Sequence, residues 1–165
     1  MKKIITTVIV IMACAGYTFA ADPVEGFWLS VDPKTEKIQS GWEMYVSNGS
    51  MYGKMLSAVG CTPTTNATKC RDSYAGFPIA GKVNQLPILG TPWMFNLRMD
   101  SPGRWSNGNI VNPEDGNMYK LSLIHHPADG GKFKQETLEV RGQLLVFSGS
   151  QYWRRATREE AIALK

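Results

Sequence analysis

The sequence lacks most of the features that point directly to a function. It has only three cysteines and two histidines among its 165 residues, and no catalytic or cofactor-binding motif stands out. No segment approaches the ~20 consecutive apolar residues that a membrane-spanning helix needs. The sequence therefore predicts no enzyme, no cofactor and no transmembrane segment, and it is more informative about fold than about function.

The positive charge is modest. The formal net charge of +4 falls to +2 without Lys2 and Lys3, because residues 1–20 contain no acidic side chain. Nucleic-acid-binding domains carry Lys and Arg clustered on one face, and this chain offers no such excess. No nucleic-acid partner is predicted.

The N-terminus has the pattern of a secretory signal peptide. Lys2 and Lys3 precede an apolar run over residues 4–15, and Thr18-Phe19-Ala20 supplies a small-x-small cleavage site. We therefore expect a signal peptide at 1–20 and one exported domain at 21–165, periplasmic or secreted. The alternative is a lipid-anchored protein, since Ile11-Met12-Ala13-Cys14 loosely resembles a lipoprotein signal.

With Cys14 in the signal, Cys61 and Cys70 are the two cysteines of the mature chain. A cysteine pair in an exported protein predicts a disulfide. A metal site is disfavoured because Cys-x8-Cys lacks the usual tetrahedral-ligand spacing. The pair lies in a long irregular segment, 60–92, which is interrupted by Gly and Pro and which the disulfide is expected to close.

The clearest structural signal is a hairpin between residues 105 and 124. Asn112-Pro113-Glu114-Asp115-Gly116 is a dense turn signal, and Asp-Gly tolerates the positive φ of a tight hairpin. In the arm Met118–Ile124, alternate residues are apolar, which is the period of a β-strand with one buried face.

Similar patterns predict further strands at Val24–Val31, Trp42–Val46, Met51–Val59, Trp93–Met99, Phe133–Gln143 and Leu144–Arg155. About eight strands joined mainly by hairpins, with no helix long enough to cover a sheet, must protect their edges. We predict an all-β fold, a single antiparallel up-and-down barrel, with a two-sheet sandwich as the alternative. Thr157 and Glu160 have capping-box spacing and predict a final helical turn.

Three motifs in the second half of the chain resemble the bacterial domain of unknown function family 2147. They are Trp105-x-x-Gly108-x-Ile110-x-x-Pro113-x-x-Gly116-x-x-Tyr119, Leu138-Glu139-Val140-Arg141-Gly142 and Gln151-x-Trp153-x-Arg155. The opening Gly26-Phe27-Trp28 is also similar to that family. The resemblance implies a lipocalin-like (calycin) barrel that is exported and has no established activity.

The same resemblance suggests a structural pair at one end of the barrel. In lipocalins a tryptophan near the start closes the barrel and a basic side chain lies over its ring; the corresponding residues here are Trp28 and Arg155. A guanidinium over an indole contributes ~0.5–2 kcal/mol. We expect this pair to join the first strand to the last.

The remaining polar residues have ordinary interpretations. Neighbours on a strand point to opposite faces, so His125 and His126 are not expected to share a metal ion. Glu139 and Arg141 fall on one face and are expected to form a surface ion pair, which contributes ~0–1 kcal/mol.

Two functions fit these expectations. The first is binding of a small apolar or amphipathic molecule, because an eight-stranded barrel is wide enough for one small ligand or for packed side chains. The second is an envelope interaction or structural protein with a filled barrel, which uses segment 60–92 as its contact surface. A cavity would favour the first function, and an exposed apolar patch on that segment would favour the second.

Overall fold

The computed structural model describes residues 21–144 and 147–164. The predicted signal peptide, with Cys14 and both proposed processing sites, lies outside the described residues. The strands are β1 (Gly26–Val31), β2 (Ile38–Ser47), β3 (Ser50–Ala58), β4 (Pro92–Ser101), β5 (Arg104–Val111), β6 (Met118–His126), β7 (Thr137–Leu144) and β8 (Phe147–Ala156). A short helix, α1 (Arg158–Ile162), follows them.

The eight strands form one closed barrel in sequence order. Each strand pairs antiparallel with the next, and β1 closes the barrel by pairing with β8 through Phe27–Ala156, Trp28–Arg155 and Leu29–Arg154. The predicted up-and-down barrel is confirmed, and the two-sheet sandwich is wrong. Closure leaves no sheet edge exposed, which is the physical reason to prefer it. No helix in the described part of the chain is long and apolar enough to span a membrane.

The barrel interior follows from the alternation of side chains along each strand. In β3 the burial alternates residue by residue, and Met51, Gly53 and Met55 are buried. A Cβ at Gly53 would press against the sulfur atoms of Met44 and Met94 at 2.8 and 2.9 Å. Glycine at this position therefore allows two methionines to meet inside the barrel.

The β5–β6 turn is the predicted hairpin. Gly116 has φ +70° and its amide donates to the Asn112 carbonyl at 2.8 Å. A Cβ at Gly116 would collide with the backbone oxygen of Lys69. Glycine is therefore needed both for the turn and for the close approach of the segment between β3 and β4. Pro113 is buried in the same turn.

Segment 60–92 packs against the outer face of β4 and reaches one end of the barrel, where Cys61 and Ile88 face the interior. Its backbone bonds to itself, from the Ala67 amide to Leu86 and from the Ile88 amide to Thr65. A short 3-10 helix, Val83–Gln85, is the only helical turn described in the segment. The ring of Phe77 lies 5.7 Å from Trp93 and 5.3 Å from Phe95, so the segment covers an apolar outer face of β4.

The predicted disulfide is not formed in this structure. Cys61 and Cys70 are both free thiols, the first partly buried and the second buried. Each cysteine belongs to its own turn, since the Cys61 amide bonds to Ala58 and the Cys70 amide bonds to Ala67. Backbone hydrogen bonds and apolar packing hold the segment here, in place of the covalent closure that the sequence predicts.

Helix α1 has the predicted capping box. The Thr157 hydroxyl accepts from the Glu160 amide, and the Glu160 carboxylate accepts from the Thr157 amide. The helix lies against the outside of β1, β2 and β3, where the Ser57 hydroxyl donates to the Ala161 carbonyl at 2.6 Å. Gly41 leaves room for this carbonyl, since a Cβ there would overlap it.

Candidate functional site

The barrel contains a cavity of about 710 Å³ that opens at one end. The opening lies where the β1–β2, β3–β4 and β5–β6 connections meet. Its inner wall is mainly apolar and includes Trp42, Met55, Ile88, Leu121, Val140 and Trp153. Its rim is more polar and includes Asp32, Cys61, Asn112, Glu114 and Tyr119.

Two tryptophans stand side by side in the wall. The rings of Trp42 and Trp153 are 5.2 Å apart and inclined at 34°. The Trp42 indole N–H donates to Ser40 Oγ at 2.7 Å, and the Trp153 N–H donates to Gln151 Oε1 at 3.0 Å. Because protein groups already accept both N–H bonds, the rings offer apolar surface to the cavity.

Two glycines leave open space on the face of the β7–β8 pair that lines the cavity. Gly142 and Gly149 face each other across the two strands, and both line the cavity. A Cβ at either position would meet nothing within 4 Å. Gly142, predicted only as part of a family motif, is therefore one of the residues that leave the cavity unfilled.

The rim carries two carboxylates from different connections. Asp32 lies in the β1–β2 connection, where its Oδ1 accepts from the amides of Lys34 and Thr35 and from the Thr35 hydroxyl at 2.7–3.0 Å. The bonds from Thr35, and then from Lys34, lower the pKa of Asp32. Glu114 lies in the β5–β6 turn, where its amide donates to Asn112 Oδ1 at 3.1 Å.

Tyr119 lines the cavity, and its polar end is anchored. Its hydroxyl donates to Asp115 Oδ2 at 2.6 Å. This hydrogen bond, with burial, raises the pKa of Tyr119. Burial by itself raises the pKa of Asp115, but hydrogen bonds from Tyr119 and Asn117 outweigh it and lower that pKa. The ring is thereby fixed beside the opening.

The opposite end of the barrel is closed by Trp28. Its side chain is fully buried and its indole N–H donates to the Val24 carbonyl at 2.8 Å. The Arg155 guanidinium lies 4.6 Å from the ring centroid. Its Nη1 donates to the Pro23 and Glu25 carbonyls at 3.2 and 2.8 Å. This pair ties the N-terminal segment to the last strand.

Trp105 and Gly108 also form part of the closed end. Trp105 is 2% exposed, and its N–H donates to Asp22 Oδ1 at 3.0 Å. A Cβ at Gly108 would overlap the side chain of Leu97. These two predicted residues therefore pack the closed half of the barrel and do not line the cavity.

Outside the barrel, Glu139 is the centre of a polar cluster that the sequence did not predict. The carboxylate is 4% exposed and accepts from Arg141 Nε at 2.7 Å and Ser150 Oγ at 2.9 Å. His126 Nε2 lies 2.8 Å from its other oxygen. Burial raises the pKa of Glu139, but these partners outweigh burial and lower the pKa to about 2. The expected ion pair between Glu139 and Arg141 exists. Glu139 is buried, however, so the pair is not the surface ion pair that the sequence predicts.

The two histidines contact different glutamates. His125 Nε2 lies 2.8 Å from Glu136, whereas His126 bonds to Glu139. The Phe133 ring stacks on His126 at 4.1 Å and covers the cluster from outside. No group of three possible metal-ligating side chains occurs among residues 21–144 and 147–164.

Comparison with known proteins gives a family and a fold. A family model described as an uncharacterized protein conserved in bacteria (DUF2147) matches residues 26–155. No curated protein matches the chain. A solved structure of protein HP1028 from the human pathogen Helicobacter pylori, described as belonging to the lipocalin family, is similar with a TM-score of 0.62 and 17% identity, over 82% of this chain and 84% of that one. At this identity the likeness shows the lipocalin-like fold.

Proposed function

The chain belongs to the DUF2147 family of uncharacterized bacterial proteins, and we propose that it is a non-catalytic protein that binds a small apolar or amphipathic molecule inside its barrel. The observation that carries this proposal is the cavity of about 710 Å³ with its opening at one end. Ligand sites for small molecules typically occupy ~300–1,000 Å³ and combine apolar walls with a few polar groups. The cavity has both properties.

The distribution of polarity supports one orientation of the ligand. The indoles of Trp42 and Trp153 lie in the wall, while carboxylate, amide and thiol groups lie at the opening. An apolar tail that enters the cavity would displace water from apolar surface, which is favourable by roughly 25 cal/mol per Å². A polar head would remain at the rim.

The alternative function, an interaction protein with a filled barrel, has less support. The barrel is not filled, and the apolar residues of segment 60–92 face the barrel. Ala67, Val83 and Ile88 are buried, and Phe77 packs on Trp93. The segment covers the outside of β4 and offers little apolar surface to a partner.

We also propose that the protein acts outside the cytoplasm. The support is the sequence of residues 1–20, with Lys2 and Lys3 before an apolar run and Thr18-Phe19-Ala20 after it. Mass spectrometry of protein from its own host should find an N-terminus at Ala21. An acylated N-terminal Cys14 would instead make it a lipid-anchored protein.

Filling the cavity tests the binding proposal. Gly142→Phe places a ring in space where a Cβ meets nothing within 4 Å. We expect it to abolish binding of any molecule that copurifies with the protein or that quenches its tryptophan fluorescence, with little change in melting temperature. The matched control is Gln143→Phe, because Gln143 is the exposed neighbour on the other face of β7.

Native mass spectrometry and fluorescence titration with amphiphiles would measure the effect. Loss of binding in Gly142→Phe with binding retained in Gln143→Phe supports the cavity. Equal binding by both variants, or no copurified molecule and no saturable quenching in the unaltered protein, would refute the proposal.

A further inference from the structure

We propose that the rim selects the ligand by charge, so that the cavity takes amphipathic molecules with a cationic head in preference to those with an anionic one. This inference rests on the proposed binding function and specifies its ligand class. It is carried by the position of two carboxylates, Asp32 and Glu114, which both line the cavity at its opening.

The two acids come from different parts of the barrel. Asp32 follows β1 directly, and Glu114 lies in the turn between β5 and β6. A molecule that enters the barrel through this opening therefore encounters two negative side chains held by separate connections. A head group left at the opening would lie near both of them.

The Asp32 carboxylate is held in a fixed position. Three hydrogen bonds from Lys34 and Thr35 all reach Oδ1. They also lower the pKa of Asp32, so the group stays ionised in mildly acidic solution. The turn after β1 therefore holds a negative charge at this position of the opening.

The other charged residues of the same connection are arranged differently. Lys34, Glu36 and Lys37 are exposed, and none of them lines the cavity. Within the described part of the chain, no Lys, Arg or His lines it. The charges that face the cavity directly are therefore the two carboxylates.

Polar groups deeper in the cavity do not offset this preference. The hydroxyls of Ser30 and Ser40 are 2.6 Å apart and bond to each other, and Ser40 also accepts from Trp42. An anionic head group would lose hydration without gaining a cationic partner, which is costly. An ammonium group would gain two carboxylates and the nearby aromatic rings, which attract cations.

The expected preference follows from Coulomb's law. At ~5 Å in a water-like medium, each carboxylate changes the affinity for a unit charge by roughly fourfold, attracting a cation and repelling an anion. Screening over a Debye length of ~8 Å at physiological salt reduces each factor to about twofold, and the ratio of cation to anion affinity is the product of four such factors. We expect a cationic amphiphile to bind about tenfold more tightly than an anionic one of equal chain length, and the ratio to shrink as salt is raised.

The test uses three probes with the same ten-carbon chain: decyltrimethylammonium, decanoate and decanol. Tryptophan fluorescence of the mature protein would give their affinities at low and high salt. The test variant is Asp32→Asn with Glu114→Gln, since Asn keeps an oxygen that can accept the same turn bonds. The control is Glu36→Gln, which removes an exposed charge from the same connection.

Charge selection predicts that the double variant binds the cation and the anion equally while its affinity for decanol is unchanged, and that the control keeps the preference. Equal affinities in the unaltered protein, or a preference that survives in the double variant, would overturn charge selection and leave the binding function standing. Failure of all three probes to bind would count against the binding function itself.

Discussion

Replacement of Glu139 by Gln tests whether the buried carboxylate on the outer wall stabilises the barrel. Glu139 is 4% exposed and bonds to Arg141, Ser150 and His126. Gln has nearly the same shape and removes the charge, and its amide oxygen can keep the bonds from Arg141 and Ser150 while its NH2 group faces His126. The change therefore isolates the ionised carboxylate and leaves the packing around it almost unaltered.

The size of the effect follows from the pKa of the group. In the folded protein the pKa of Glu139 falls from 4.5 to about 2. A difference of roughly 2.5 pH units corresponds to about 3 kcal/mol of stability. Because the folded pKa lies below the unfolded one, this contribution is fully present above pH 4.5. It is lost progressively as the pH falls from 4.5 to 2.

Urea unfolding between pH 7 and pH 2, followed by circular dichroism, would measure it. We expect Glu139→Gln to be less stable by about 3 kcal/mol at pH 7, and the gap to the unaltered protein to close toward pH 2. The control Glu36→Gln, at an exposed position, should follow the unaltered protein throughout. A gap that is constant with pH would mean that only packing or a lost hydrogen bond is at work, and the reasoning would be wrong.

Two further predictions concern the closed end and the thiols. Trp28→Ala should lower the free energy of unfolding by about 3–5 kcal/mol, since the side chain is fully buried. Arg155→Ala should cost less, about 1–2 kcal/mol, because water can replace its exposed hydrogen bonds to the Pro23 and Glu25 carbonyls and the contact with the ring is the main loss. The reverse order in urea melts would contradict the assignment. In reduced protein, iodoacetamide should modify Cys61 before the more buried Cys70, slowly at neutral pH because burial raises the pKa of both thiols. A cavity ligand should protect Cys61, which lines the opening, and faster reaction of Cys70 or no protection would argue against that placement.

The strands could be predicted because their signals are local. The hairpin expected at Trp105–Val111 and Met118–Ile124 is β5 (Arg104–Val111) and β6 (Met118–His126) in the structure. Alternation of apolar residues and a turn with Gly116 suffice for a hairpin. The pairing of β1 with β8 has no local signal, and two arguments predict it: the need to remove sheet edges and the expected contact of Trp28 with Arg155.

The start of β7 shows where local signals fail. The sequence pattern predicts a strand from Phe133, but the strand begins at Thr137. Asp129 forms a turn whose Oδ1 accepts from the amides of Gly131 and Phe133. Phe133 then leaves the sheet and stacks on His126. Phe133 therefore covers the Glu139 cluster and does not extend the strand. This role depends on tertiary contacts, so the local sequence does not predict it.

The cavity was equally difficult to predict, because a filled barrel and an empty one require similar numbers of aromatic residues. What distinguishes an empty barrel from a filled one is which residues face each other across neighbouring strands. Gly142 and Gly149 are uninformative separately, yet they face each other across two strands and leave space inside the barrel. Likewise, Asp32 and Glu114 are 82 positions apart in the chain, and only the closed barrel brings both to the same cavity.

The two ends of the barrel differ in packing: the closed end is filled by buried side chains and the open end contains the cavity. The difference in their exposure to water explains how both can exist in one small domain. At the closed end, Trp28 and Trp105 are almost fully buried and their N–H groups are bonded to Val24 and Asp22. Empty space costs stability when it is enclosed and apolar, but a cavity open to water carries a smaller penalty. The closed half can therefore supply the packing that holds the strands, while the open half, with Gly142 in its wall, leaves room for a guest. Substitutions at Trp28 should accordingly change stability before binding, and those at Gly142 should change binding before stability.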